Sequence, residues 1–308
     1  MTIHKPVLVK EVLELLEPSK NQNFIDCTLG AGGHTKALLD QTKPNGRILA
    51  IDWDENAVES AKNNLKQYLP RLVLINDNYT NLKNIVADNN FEKINGILLD
   101  LGLSSDQFAS SGRGFSFQKD EPLDMRYSTD SSLTAAQIIN SWSEKELKRI
   151  FKELGEEKRV HKIAAEIIKY RRKRKIKTTK QLVEIIQRVK GKQQSRIHPA
   201  TKVFQALRIT VNNELENIES TLKQAIEIMP SESKIAVISF HSLEDKIVKH
   251  FFQKESKNCI CPPEIPECRC EHKTSLKIKT KKPIIASEEE VAENPRSRSA
   301  KLRVAERI

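Results

Sequence analysis

Phe24-Ile-Asp26-Cys-Thr28-Leu-Gly30-Ala-Gly32-Gly33-His34 joins a short apolar run, Phe24 to Thr28, to a helical segment, His34 to Gln41. Glycines at such a junction let the chain turn sharply and let a ligand approach the backbone with no Cβ in the way. The unit repeats outward. Arg47 to Ile51 predicts a second strand ending at Asp52, with a helix from Glu55 to Tyr68. Leu72 to Ile75 and Ile94 to Leu99 follow as strands around a helix near Leu82 to Ala87. Strands alternating with helices imply right-handed crossovers and a parallel sheet covered on both faces.

The rhythm stops after Leu103. Leu133 to about Asn213 carries helical periodicity instead, with Leu147, Ile150, Phe151 and Leu154 on one apolar face and Ile163, Ala164, Ile167 and Ile168 on another. The α/β pattern then resumes with a helix from Leu215 to Ile228, a strand from Lys234 to Phe240 and a helix from Leu243 to Gln253. Leu276 to Lys279 and Leu302 to Glu306 read as closing strands. The expected organisation is an α/β domain in two parts, residues 1–105 and 211–308, interrupted by a helical insertion, residues 106–210. The insertion leaves the sheet at the carboxyl end of its fourth strand, where open α/β sheets bind ligands.

Composition agrees with a globular chain. Of 308 residues, 38% are hydrophobic, and ten Gly and twelve Pro are too few for a collagen-like or low-complexity protein. No stretch approaches the roughly 18 apolar residues of a membrane span. The apolar N-terminus is broken by Lys5, Lys10, Glu11 and Glu14 and reads as an amphipathic helix rather than a signal peptide. A cytoplasmic protein with reduced thiols and no membrane partner is expected.

Asp52 lies 19 residues beyond Gly33, where a carboxylate can accept both hydroxyls of a ribose. The dinucleotide fingerprint would place a third glycine or alanine at position 35, which is Thr35. A Gly-x-Gly-Gly loop four residues after Asp26 better suits a nucleoside ligand without a pyrophosphate, S-adenosylmethionine. Asp77-Asn-Tyr79 can add a polar contact and an aromatic face for the adenine. Asp100 ends the fourth strand at the same crevice. The fold class predicted is therefore a class I S-adenosylmethionine-dependent methyltransferase, Rossmann-like with a mostly parallel sheet, carrying an inserted helical substrate-binding domain.

Charge locates the substrate. The net +11 is concentrated in residues 145–208, which carry 21 basic and 6 acidic side chains. Within them Arg171-Arg172-Lys173-Arg174-Lys175 are successive cations at a helix end, suited to tracking phosphates. Arg113-Gly-Phe115-Ser-Phe117 pairs a cation with two aromatics; Phe115 and Phe117 either stack an extruded base or belong to the insertion's core. An exocyclic amine on a base needs a nearby oxygen acceptor to be methylated, and Asp100 to Asp106 offers several.

Taken together, these motifs resemble the bacterial ribosomal RNA small subunit methyltransferase H family over almost the whole chain. The resemblance rests on His4-Lys-Pro6-Val-Leu, Gly32-Gly33-His34, Ile97-Leu-Leu-Asp100-Leu-Gly, Arg113-Gly-Phe-Ser-Phe117 and Pro122-Leu-Asp-Met-Arg126. It continues through His198-Pro-Ala-Thr-Lys-Val-Phe-Gln-Ala-Leu-Arg208, Ser239-Phe-His-Ser-Leu-Glu-Asp245 and Asn294-Pro-Arg-Ser-Arg-Ser299. It implies N4-methylation of one cytidine in the decoding region (P site) of 16S rRNA, within the small (30S) ribosomal subunit or a late assembly particle. It also implies cofactor contacts at Gly32, Gly33, His34, Asp52, Tyr79, Asp100 and Gln107. Asp100 is the candidate catalytic residue, as positioner or acceptor, and a homodimer is compatible with all of this. Glu121 and Tyr127 depart from the family's usual glycine and methionine. Two competing readings are a DNA amino-methyltransferase, which would carry a Pro-Pro-aromatic segment where Leu101-Gly-Leu-Ser-Ser stands, and an assembly factor that binds the subunit without catalysis.

Two features stay open. His241 is either a crevice residue or structural, with Ser242 and Asp245 as a candidate helix cap. Cys259-Ile-Cys261 and Cys268-Arg-Cys270 lie within twelve residues. They either bind zinc, despite a spacing tighter than the usual Cys-x2–4-Cys, or are unmetallated reduced thiols; no metal is assigned on sequence grounds.

Overall fold

The computed structural model describes residues 6–103, 112–191, 198–262 and 267–308. The chain forms two compact units, residues 1–102 with 215–308, and residues 103–214.

The first unit is built on β1 (Asn23–Asp26), β2 (Ile48–Asp52), β3 (Leu72–Asn76), β4 (Ile94–Asp100), β5 (Lys234–Ser239), β6 (Leu276–Ile278), β7 (Ile284–Ile285) and β8 (Lys301–Arg307). The sheet order is β3-β2-β1-β4-β5-β8-β6, with β7 also on β8. The β1 to β5 ladders are parallel, whereas β8 runs antiparallel to β5. Strand order reverses between β1 and β4, so the switch-point crevice opens at the carboxyl ends of these two strands.

Alternation explains why the strands read as continuous apolar runs. Phe24, Ile48, Ala50 and Leu98 face one core, packed by Val12, Leu38, Leu39, Val58 and Ala61. Those five come from α1 (Val9–Leu16), α2 (Gly33–Gln41) and α3 (Glu55–Asn64). Ile25, Leu49, Ile51, Ile97 and Leu99 face the other core, against Leu82, Ile85, Leu222, Val248 and Phe252. Those come from α4 (Leu82–Asp88), α10 (Glu214–Ile228) and α11 (Ser242–Glu255). A sheet buried on both faces has no polar face to alternate with. The predicted helix over 55–68 ends early at Asn64, where Lys66–Arg71 tightens into a 3-10 turn containing Pro70.

The second unit holds α5 (Ala135–Ser141), α6 (Glu144–Glu153), α7 (Val160–Arg171), α8 (Thr179–Lys190) and α9 (Thr201–Asn212) around one apolar core. Capping boxes at Thr134 with Gln137, Ser143 with Glu146 and Thr178 with Gln181 fix three of the helix starts. The two departures from the family pattern are structural parts here. Glu121 Oε2 accepts the Gly114 N–H at 2.9 Å, and Tyr127 stacks on Phe115 while its hydroxyl donates to Glu214 Oε1 at 3.0 Å.

Candidate active site

Asp26, at the end of β1, is fully buried and holds the glycine loop in place. Its Oδ1 accepts the Thr28 N–H at 3.1 Å, and its Oδ2 accepts the Thr35 hydroxyl at 2.7 Å. Thr35 thus does a positive job at the position that fails the dinucleotide fingerprint: it ties the first turn of α2 back to β1. Burial pushes the Asp26 carboxyl above its ordinary range in spite of these donors. Thr28 Oγ1 accepts the Asp100 N–H at 2.6 Å and so links the β1 and β4 ends across the switch point.

The loop itself needs glycine twice. Gly30 and Gly32 have φ of 50° and 86°, left-handed values that burden a residue with a Cβ. Gly33 opens α2 against Pro6, whose Cγ would lie 2.7 Å from an added Cβ.

Asp52, at the end of β2, receives the Gly30 N–H on Oδ2 at 2.8 Å and the Asp54 N–H on Oδ1 at 2.9 Å. Each oxygen keeps a second lone pair. Burial outweighs the donors and pushes its carboxyl up to about 6. Beside it, the Asp77 N–H donates to the Asp52 carbonyl at 3.1 Å. The Asp77 carboxylate takes the Asn78 N–H at 2.6 Å and the Asn81 amide at 2.9 Å, forming the turn that carries Tyr79. Tyr79 is half-buried against the second core.

His34 and Asp100 form the inner wall. His34 Nε2 lies 3.5 Å from Asp100 Oδ2, an electrostatic contact without the alignment of a hydrogen bond. Burial lowers the imidazole pKa, but the facing Asp100, then Asp26 and Glu290, outweigh it and leave the net value raised. Asp100 Oδ1 and both His34 ring nitrogens are buried without a hydrogen-bond partner. Buried polar atoms left unpaired are costly and mark places a ligand completes. The glycine cradle, the Asp52 acceptors and these orphaned atoms fit a ribose-bearing, cationic nucleoside.

Six of the predicted cofactor residues therefore lie at the ends of β2 and β4, in the glycine loop and first turn of α2 after β1, and in the turn after β3; the seventh, Gln107, lies outside the described residues. Asp26 and Thr28 were not among the predicted site residues, because nothing in their spacing separates a loop-pinning carboxylate from an ordinary strand end.

The predicted RNA-contacting residues divide. Phe115 is 5% exposed, lies in the core of the second unit and stacks on Tyr127 at 5.7 Å, so it is not a base-stacking platform. Phe117 packs on the same core with one face covered by His198, 4.4 Å away and nearly parallel. Arg113 donates through Nη1 to the Tyr127 carbonyl at 2.6 Å and the Arg126 carbonyl at 3.1 Å. Arg171 is half-buried, with Nη1 on the Ile139 carbonyl at 2.7 Å, and burial lowers its pKa. These two guanidiniums satisfy backbone oxygens of the helical unit. Arg172, Lys173, Arg174 and Lys175 are exposed, just past the end of α7.

His241 caps a helix. Its Nδ1 accepts the Glu244 N–H, and Glu244 accepts the His241 N–H in return, so the capping box of α11 starts one residue before the predicted Ser242. Asp245 instead pairs with Arg303 of β8 at 2.6 Å. His241→Ala is expected to cost about 1 kcal/mol of stability, the ordinary worth of a cap, and to leave cofactor affinity within twofold; calorimetry and chemical unfolding check both.

The profile of the MraW methylase family matches residues 1–308. The chain belongs to the MraW methylase family. This methylase is 47% identical over 307 residues to Ribosomal RNA small subunit methyltransferase H of Thermomicrobium roseum, covering 100% of this chain and 94% of that protein. It is 47% identical over 315 residues to the protein of the same name from Halothermothrix orenii, covering 100% and 99%. A solved rRNA methylase from Streptococcus thermophilus aligns over 100% of this chain and 99% of that one, with 10% identity and a TM-score of 0.41. This methylase has a mostly parallel central sheet with helices on both faces, the architecture expected from its sequence. Among the described residues, no helix is long and apolar enough to cross a membrane.

Proposed function

We propose that this methylase modifies N4 of one cytidine in the P-site part of the decoding region of 16S rRNA, acting in the cytoplasm on the small (30S) subunit or a late assembly particle. The observation that carries the reading is the orphaned Asp100 Oδ1 at the switch point, beside the glycine loop and Asp52. S-adenosylmethionine supplies an electrophilic methyl on a sulfonium sulfur. Asp52 accepts the ribose hydroxyls on its two remaining lone pairs, and the left-handed glycines let the loop backbone close on the ligand. Tyr79 offers an aromatic face to the adenine. His34 faces Asp100 Oδ2 at 3.5 Å, and the unpaired Oδ1 is free to accept a hydrogen bond from the exocyclic amine of cytosine. That bond disfavours delocalisation of the nitrogen lone pair into the ring and gives the amine proton a destination. Arg172 to Lys175 track the phosphates of the substrate RNA.

The test is a single-turnover incubation with methyl-labelled cofactor and small subunits lacking the modification, followed by nucleoside mass spectrometry. Label in N4-methylcytidine at one position is expected. Label in another nucleoside would overturn the assignment, and stable subunit binding without any label would favour an assembly factor.

A further inference from the structure

The connection from α11 to β6, residues 256–275, has no regular structure among its described residues, and none of them is buried. Connections this long without an element or a core of their own are uncommon in compact domains unless something else ties them. Its base is fastened to α11, where His272 Nε2 meets the Lys254 carbonyl at 3.1 Å and the Ser275 N–H donates to the Glu255 carbonyl at 2.9 Å. Beyond that base the described loop folds on its own sulfurs.

The four sulfurs of Cys259, Cys261, Cys268 and Cys270 all lie within 4.8 Å of one another, and no disulfide joins them. Cys268 and Cys270 Sγ are 3.6 Å apart, and Cys270 and Cys259 Sγ 3.8 Å. A bonded pair would sit at about 2.0 Å. Four sulfurs on a tetrahedron about 2.3 Å from a central Zn2+ are separated by about 3.8 Å. Three backbone N–H groups point at them: Ile260 to Cys270 at 3.3 Å, Arg269 to Cys261 at 3.3 Å, and Cys261 to Cys259 at 3.4 Å. Such donors stabilise thiolates and fix their lone-pair directions, the usual support around a metal's ligands. The short Cys-x-Cys spacing does not keep the sulfurs apart, because the two arms cross so that sulfurs of one contact the backbone and sulfurs of the other. Sulfurs this close enclose a single ion and leave no room for an iron–sulfur cluster.

We propose that Cys259, Cys261, Cys268 and Cys270 bind one Zn2+ in a closed, structural tetrathiolate site that pins the α11–β6 connection. Four thiols release four protons to solvent on binding, and the complex carries a charge of −2. The sulfurs fill every position, so the metal does no chemistry on substrate.

The full chain, stripped with a chelator under reducing conditions, is reloaded with Zn2+ or Co2+, desalted and analysed for bound metal. One equivalent retained by the parent is expected, with the thiolate charge-transfer and tetrahedral ligand-field bands of cobalt. The Cys268→Ser/Cys270→Ser variant should retain less than a tenth of an equivalent, and proteolysis of the metal-free parent should cut within 256–275. No metal retained by the parent overturns the site. A full equivalent retained by the variant overturns it equally. Should the variant not fold, the cobalt spectrum of the parent decides alone, because a spectrum lacking thiolate bands places the metal elsewhere.

Discussion

Replacing Asp52 by alanine is expected to weaken S-adenosylmethionine binding by at least about a hundredfold, as two hydrogen bonds to a charged acceptor are each worth roughly 1.5–3 kcal/mol. The alanine also strips the Gly30 and Asp54 N–H groups of their shared acceptor. Asp52→Asn is therefore the cleaner comparison, since it keeps one oxygen and the side-chain volume. Titration calorimetry with S-adenosylmethionine reads both.

The same carboxylate gives binding a pH dependence of fixed sign. Burial raises the free protein's Asp52 to about 6, so folding alone favours the acid form. The stability this contributes is present below the unfolded value near 3.9 and is lost as pH rises through about 6. Ribose hydroxyls, in contrast, donate to the carboxylate. Cofactor affinity should therefore be flat above pH 7 and fall about tenfold per unit below about 6. Asp52→Asn should lose that slope. A parent protein that binds equally well at pH 5 and pH 8 would contradict the role given to Asp52.

Neutralising Arg172, Lys173, Arg174 and Lys175 together should cost roughly a hundred- to a thousandfold in small-subunit affinity at low salt. Each phosphate contact with single-stranded RNA contributes about 0.7 to the slope of log affinity against log salt, so four lost contacts should flatten it by about 3. Cofactor affinity should not change. Arg171→Gln makes the internal control: with its guanidinium on the Ile139 carbonyl, its loss should lower the stability of the helical unit by about 1 kcal/mol and leave the salt slope intact. Equal salt slopes for the fourfold variant and the parent would remove the phosphate-tracking assignment.

The run from Arg171 to Lys175 shows where reading charge along a chain stops being sufficient. Five consecutive cations are indistinguishable in sequence, yet α7 ends at Arg171 and turns its guanidinium back onto α5 while the next four project outward. Phe115 and Phe117 make the same point. An Arg-Gly-aromatic motif can present a base platform or build a core; the packing of Tyr127 selects the second for Phe115, whereas His198 covers one face of a half-buried Phe117. His241 likewise belongs to a helix start whose register depends on where β5 delivers the chain.

By itself the sequence determined the alternating α/β architecture, the helical interruption, the glycine loop and the carboxylates that follow β1, β2 and β4. Those are local properties: hydrophobic period, turn chemistry and strand-end position are written in contiguous residues. Tertiary structure alone decided that Asp26 and Thr28 lock the loop, that Asp100 keeps one oxygen unpaired, and that the four loop sulfurs converge. Each of these depends on how the strand ends register and the loops close on one another rather than on any residue's own preference.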